Sequence, residues 1–343
     1  MRINFKAIVE QHNLSPSTPL LPLFEALVNS IQSIEESGIS DGRIDVKVVR
    51  DLTLFPSGTN SWETDIDSFE IIDNGVGFND KNYDSFDIYG SEHKSEKGCK
   101  GVGRITWLKA FSSVTIESTY LAEDDYRDRN FTFSTTKERD LTHEGLSEKK
   151  QSGTRVVLSN YFGKYKAKCP KRLDTLARDI MNHCFAYLAL DTCPLIYICD
   201  DNDSICINTL FKENIKGETE THTFEVKGYS FNVINAKNYA ASNDKHILHF
   251  CAHKREVDGA RVNLVSHINA LSGRLRNDEG EFVYTGYITG NLLDENVNSE
   301  RTDFIIMKEN ADSEDKSKSK WKLRMLREPT KYPPKTSSKQ HCL

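Results

Sequence analysis

No C-x-x-C pair occurs among the eight cysteines of this 343-residue chain, which removes the spacing expected of a zinc ribbon or a thioredoxin-like redox centre. Thiols scattered this widely read as buried free cysteines, not as a disulfide frame. Long apolar runs are missing as well. The longest, "CFAYLALDTCPLIYIC", is interrupted by Asp191 and Pro194 and falls short of the roughly 20 residues a membrane span requires. It predicts the end of a buried helix followed by a core strand. The N-terminal "MRINFKAIVEQHNLSPSTP" has no apolar h-region and no small-residue cleavage site, so a cytoplasmic location with no membrane attachment is expected. Nor is there a large excess of one charge. With 45 basic and 51 acidic residues the net charge is -6, which exerts no global pull on nucleic acid. There is no internal repeat.

What is present suits a globular protein. A chain of 343 residues exceeds the usual single domain, so two are expected. The segment "LPLFEALVNSIQSIEE" predicts a helix over 22–37, with Pro22 in its first turn and Gly38 at its end. Strands are expected in "RIDVKVVRD", "DSFEIID", "FSSVTIESTY", "NFTFSTT" and "SGTRVVLSN", and a helix in "VGRITWLKAF". The first 160 residues or so then form a largely antiparallel sheet with helices on one face, an α+β arrangement. A helical pattern over 168–190, with Leu173, Leu176, Ile180 and Cys184 at helical spacing, predicts a connector. The strand-like runs that follow, from "PLIYICD" to "EFVYTGYITG", imply a second α/β or α+β unit. The expected organisation is residues 1–165, residues 166–305 and a charged tail or linker over 306–343.

Four elements carry candidate chemistry. On the first helix, Glu25, Asn29, Gln32 and Glu36 share a sector beside an apolar face of Phe24, Leu27, Val28, Ile31 and Ile34. Taken alone, that sector suits a solvated face. Next, "FEIIDNGVGF" ends a strand at Asp73 and adds Gly75 and Gly77. A carboxylate there can accept from an exocyclic amino group, and the glycines let a planar base approach the backbone; a glycine-rich turn is the plainer alternative. In "GCKGVGRITWLKAF", Gly98, Gly101 and Gly103 precede a helix, where free N–H groups make an anion site to which Lys100 or Arg104 adds charge. The order matches neither a Walker A loop nor a dinucleotide fingerprint. Lastly, Gly153 and Thr154 open a late strand.

In sequence, E-x-x-x-N on a helix, D-x-G-x-G after a strand, a G-x-x-G-x-G loop opening a helix and a late G-T strand resemble the GHKL ATPase superfamily. That group includes gyrase B, the ninety-kilodalton heat-shock chaperones, histidine kinases and MutL. The resemblance covers about residues 15–160 and implies a Bergerat-type sandwich followed by a transducer-like second unit, closest to the chaperone and MORC-like branch. It further implies ATP and Mg²⁺ as cofactors. Asn29 would hold the metal, Glu25 would act as general base toward water, and Asp73 with Thr154 would bind the adenine amino group. Gly75 and Gly77 would make room for the base. Gly98, Lys100, Gly101, Val102 and Gly103 would wrap the phosphates, and residues 78–100, with Ser91, Lys94 and Lys97, would form a lid.

Two further features bear on activity. Many members carry an Asp where this chain has Gln32, which subtracts a carboxylate from the water network. In the second half, "DENVNSERTDF" resembles the N-x-x-R loop of the chaperones, which would send Arg301 to the γ-phosphate; "FCAHKREVDG" offers Lys254 or Arg255 as alternates. The expected function is a Mg²⁺-dependent ATP-hydrolysing clamp that dimerises with ATP and acts on a protein or DNA client. The alternatives are an ATP-gated binding switch with negligible hydrolysis, or a DNA-processing or defence ATPase of the MutL/MORC type.

Overall fold

The computed structural model of the chain describes residues 5–51, 64–87, 103–135, 140–189, 193–215, 219–239, 241, 243–298 and 303–305. Within it, the first long helix forms where its sequence punctuation places it. α2 (Leu21–Ser37) follows the short α1 (Phe5–Gln11), takes Pro22 in its first turn and stops at Gly38. That glycine has φ +66° and returns its N–H to the Ile34 carbonyl at 3.2 Å, the left-handed stop that a Cβ disfavours.

The helix lies on an eight-stranded sheet. Its strands are β1 (Arg43–Arg50), β2 (Ile66–Asp73), β3 (Phe111–Ala122), β4 (Asp125–Ser134), β5 (Asp140–Leu146), β6 (Gly153–Tyr161), β7 (Leu195–Cys199) and β8 (Ser204–Cys206), in the order β5-β4-β3-β6-β2-β1-β7-β8. All neighbours are antiparallel except β1 and β7. Strand alternation sorts the two faces. Ile44, Val46, Val48, Phe69, Ile71, Val156 and Leu158 point into the core. Arg155, Glu70 and Glu117 form ion pairs on the other face. On the core side lie α2, α4 (Gly103–Ala110) and α6 (Leu173–His183); α3 (Asp80–Asp87) and α5 (Gly163–Lys166) are short.

Two expectations change here. The first sheet does not end near residue 165, because β7 and β8 add to it beyond β1. β1 presents a free edge that an extended apolar run such as "LIYIC" can pair. The helical pattern over 168–190 is also not one rod. α6 buries Leu173, Leu176 and Ile180 in the first core, the helix breaks at Cys184, and α7 (Phe185–Ala189) turns toward a second sheet. Phe185 stacks there on Tyr287 with centroids 3.9 Å apart.

That second sheet contains β9 (Glu220–Val226), β10 (Tyr229–Asn238), β11 (Ile247–Ala252), β12 (Arg255–Asn263) and β14 (Gly280–Thr289), with the short β13 (Leu275–Asn277) paired to β14. One of its faces, through Ile234, Ala236, Cys251 and Tyr287, is continuous with the first core, which includes α7 and α8 (Ile207–Asn214). A separate cluster around Phe231, Phe250, Val257 and Ile288 includes Leu293 of α9 (Asn291–Asn296). The architecture is α+β with two mixed sheets and helices packed between and beside them. No helix among the described residues is long and apolar enough to cross a membrane.

Candidate functional site

Along α2, one ridge of side chains meets two separate parts of the chain. At its start is Glu25, whose carboxylate lies beside the first residue of α4. A Cβ built on Gly103 would stand 2.6 Å from Glu25 Oε2, so any larger residue there would push the carboxylate aside. Trp107 of α4 fixes the approach by donating from Nε1 to the Pro22 carbonyl at 3.0 Å. One turn on, Asn29 is exposed, although Ala26, Leu27, Val28 and Ser30 around it are buried. Two turns on, Ser33 lies against Gly75, and its carbonyl accepts from Val76 N–H at 3.3 Å. From Glu25 to Ser33 the helix rises about 12 Å.

The far end of the ridge is built around Asp73, at the end of β2 and 7% exposed. Its Oδ2 accepts from the Ser30 hydroxyl at 2.8 Å and its Oδ1 from Gly75 N–H at 2.9 Å. Strand register sets Asp73 opposite Thr154, Thr154 opposite Ser118, and Ser118 opposite Arg129. A polar rung therefore crosses four adjacent strands in a core face that is otherwise apolar. Ser118 joins its parts: its Oγ accepts from Phe78 N–H at 2.7 Å and donates to the Gly153 carbonyl at 3.2 Å. Gly77, at φ +74°, has its Cβ position filled by the Thr119 carbonyl and the Ser118 hydroxyl.

Arg129, 4% exposed, closes the rung. It donates to the Phe78 carbonyl at 3.0 Å, to Asp80 at 2.7 Å and to Glu144 at 2.5 Å. Its guanidinium lies over the rings of Tyr83 and Tyr120. Burial opposes its charge, but the Glu144 and Asp80 carboxylates more than offset that and raise its pKa. The turn after β2 is thereby tied to the sheet.

The second sheet reaches the Glu25 end. Arg255, 1% exposed, places Nη1 3.2 Å from both carboxylate oxygens of Glu25. It is the first residue of β12, directly after a two-residue turn in which His253 and Lys254 both have positive φ, 49° and 62°. Such a tight turn aims the next residue back along the hairpin.

Of the residues expected from sequence, Glu25, Asn29, Asp73, Gly75, Gly77, Gly103 and Thr154 lie along this one path from Gly103 to the rung. Lys94, Gly98, Lys100, Gly101, Val102 and Arg301 lie outside the described residues. The polar sector on α2 is not uniform: Asn29 and Glu36 are exposed, but Gln32 is 2% exposed and part of the buried face. Ser30, Ser33, Ser118 and Arg129 carry no motif and were not anticipated. For Ser118 and Arg129 the sequence signal is parity, since both fall on the inward-facing positions of their strands.

For a divalent cation, the described residues contain no group of three or more His, Cys, Asp or Glu. The exposed Asn29 amide is a hard oxygen donor of the kind that suits Mg²⁺, which takes one or two protein oxygens and fills its octahedron with phosphate and water. No protein-family model and no curated protein matches the chain.

Proposed function

We propose that the α2 ridge is an ATP site and that the chain is a Mg²⁺-dependent ATP hydrolase of the GHKL type, built on a Bergerat-type sandwich with a transducer-like second unit. One observation carries this reading: a single helix face joins a glycine-led helix start beside the Glu25 carboxylate to the buried, glycine-flanked Asp73 bonded to Ser30, with an exposed Asn between. An adenine amino group is the donor for which Asp73 and Thr154 are arranged. The start of α4 suits anionic oxygens. The resemblance of the four motifs to that superfamily supports the same assignment.

In this reading Asn29 would hold Mg²⁺, which would supply positive charge to offset that of the phosphates. Glu25 takes a proton from the attacking water as its oxygen bonds to the γ-phosphorus and ADP leaves. Among the described residues, Arg255 is the second-sheet cation at Glu25; the resemblance pointed first to Arg301 for this role. ATP-dependent association of two copies, acting on a protein or DNA client from the cytoplasm, completes the clamp.

A second reading, an ATP-gated switch with negligible hydrolysis, is favoured by one contact. The carboxylate that must accept a proton is already engaged through both oxygens by Arg255, which competes with a water for them. Calorimetry with ATP, with and without Mg²⁺, together with phosphate release and sedimentation with a nonhydrolysable analogue, separates the readings. Binding with release supports the hydrolase, binding without release the switch, and no binding of ATP removes both.

A further inference from the structure

The turn that delivers Arg255 is held from outside its own hairpin. His253 and Lys254, both non-glycine residues, lie in left-handed backbone, which side chains with a Cβ disfavour. Asn-Gly is the pair that such a turn favours. What retains the unfavourable pair is α9: Asp294 Oδ1 accepts from His253 N–H at 2.6 Å, and its carbonyl accepts from His253 Nε2 at 3.1 Å. Lys254 rests over the Tyr187 ring of α7. The next residue in the chain, Arg255, is in contact with Glu25.

We propose that Asp294 is a positioning residue for the hydrolytic centre: by clamping the His253–Lys254 turn it aims Arg255 at Glu25, so that the placement of α9 governs the state of the base. This rests on the ATPase reading for its effect on turnover, but not for the geometric coupling itself. Asp294 belongs to α9, outside both α2 and the strands of the polar rung. A displacement of α9 releases the two positive-φ residues to ordinary backbone and swings the arginine off the carboxylate. A change at α9 is thereby read at Glu25 with no alteration of the Asp73 end.

The test uses the full chain. Asp294→Ala is expected to lower kcat about tenfold with KM for ATP within about twofold, because the Asp73 end is untouched. Replacing the turn by its favoured pair, His253→Asn with Lys254→Gly, should restore turnover to the Asp294→Ala protein, since the turn then needs no clamp. In an Arg255→Met background Asp294→Ala should add nothing. Loss that the Asn-Gly turn does not restore, or that adds fully to Arg255→Met, overturns the proposal. If the unaltered protein hydrolyses no ATP, the ATPase reading fails separately. The coupling is then read from melting temperatures of Asp294→Ala, Glu25→Gln and the double variant: a double loss smaller than the sum upholds the link, and strict additivity overturns it.

Discussion

Arg255 Nη1 sits equidistant, at 3.2 Å, from the two carboxylate oxygens of Glu25, joining residues 230 positions apart in the chain. The arginine is buried and the acid nearly so, with side-chain exposures of 2% and 15%. Removing one member of such a pair leaves the other's charge in a poor solvent, which costs about 3–5 kcal/mol. Arg255→Met and Glu25→Gln should therefore each lower stability, and the double variant should lose less than the sum in denaturant titrations.

The same pair separates binding from chemistry. Glu25→Gln keeps the ridge and its glycine neighbour, so ATP affinity measured by calorimetry should hold while phosphate release drops by about a hundredfold or more. Unchanged turnover would take the base role away from Glu25. Arg301→Ala serves as the comparison for Arg255→Met: the variant that slows turnover with affinity intact identifies the cation that acts on the γ-phosphate.

At the other end of α2, Asp73→Asn replaces an acceptor with a group that presents a donor to the same base edge. ATP should bind about tenfold or more weakly, in line with about 1.5–3 kcal/mol for a charged hydrogen bond. Competition with other nucleoside triphosphates should show reduced preference for adenine. Equal affinity for ATP in the variant would remove Asp73 from base recognition.

Gly77→Ala sets a methyl against the Thr119 carbonyl in left-handed backbone. A loss of about 1–2 kcal/mol from the conformation alone is expected, with weaker ATP binding because the turn beside Asp73 must move. Thermal unfolding and calorimetry on one preparation report both.

Cys206 differs from its neighbours. Burial works against its ionisation, yet donation from the Thr209 hydroxyl and amide, the Asn208 amide and the Tyr197 hydroxyl moves its pKa below the ordinary thiol value. Cys169, Cys184, Cys193, Cys199 and Cys251 are all shifted upward, with burial as the leading cause. Among these six, Cys206 should react first with a haloacetamide at neutral pH, as peptide mapping would show. Because its folded value is depressed, the associated stability is present above the unfolded thiol's pKa and is lost as pH falls through the folded one.

How much of this was legible in the sequence follows from which signals are local. The limits of α2 were visible because Pro22 and Gly38 act through their own backbone. The strands with clean alternation, β1, β2, β3 and β6, were visible for the same reason. β5 was not, since "DLTHEGL" is mostly exposed and owes its place to pairing with β4. Gln32 looked like a companion of Glu25 because rotation about a helix axis says where a side chain points and not what covers it. Ser118 and Arg129 became part of the site through register between strands separated widely in sequence. Arg255 was, with Lys254, only an alternate to Arg301; its contact with Glu25 depends on a turn held by α9, which no local pattern in the sequence shows.

The parallel pairing of β7 with β1 has a practical consequence for anyone dissecting the chain. A protein shortened at residue 165 would keep every residue of the α2 ridge and rung, yet strip β1 of its neighbour and uncover the apolar seats of Ile196, Ile198 and α6. The bared strand would offer its row of N–H and C=O groups to any other chain, so such a fragment should be recovered as aggregate. A fragment intended to bind nucleotide in isolation has to run at least through α8.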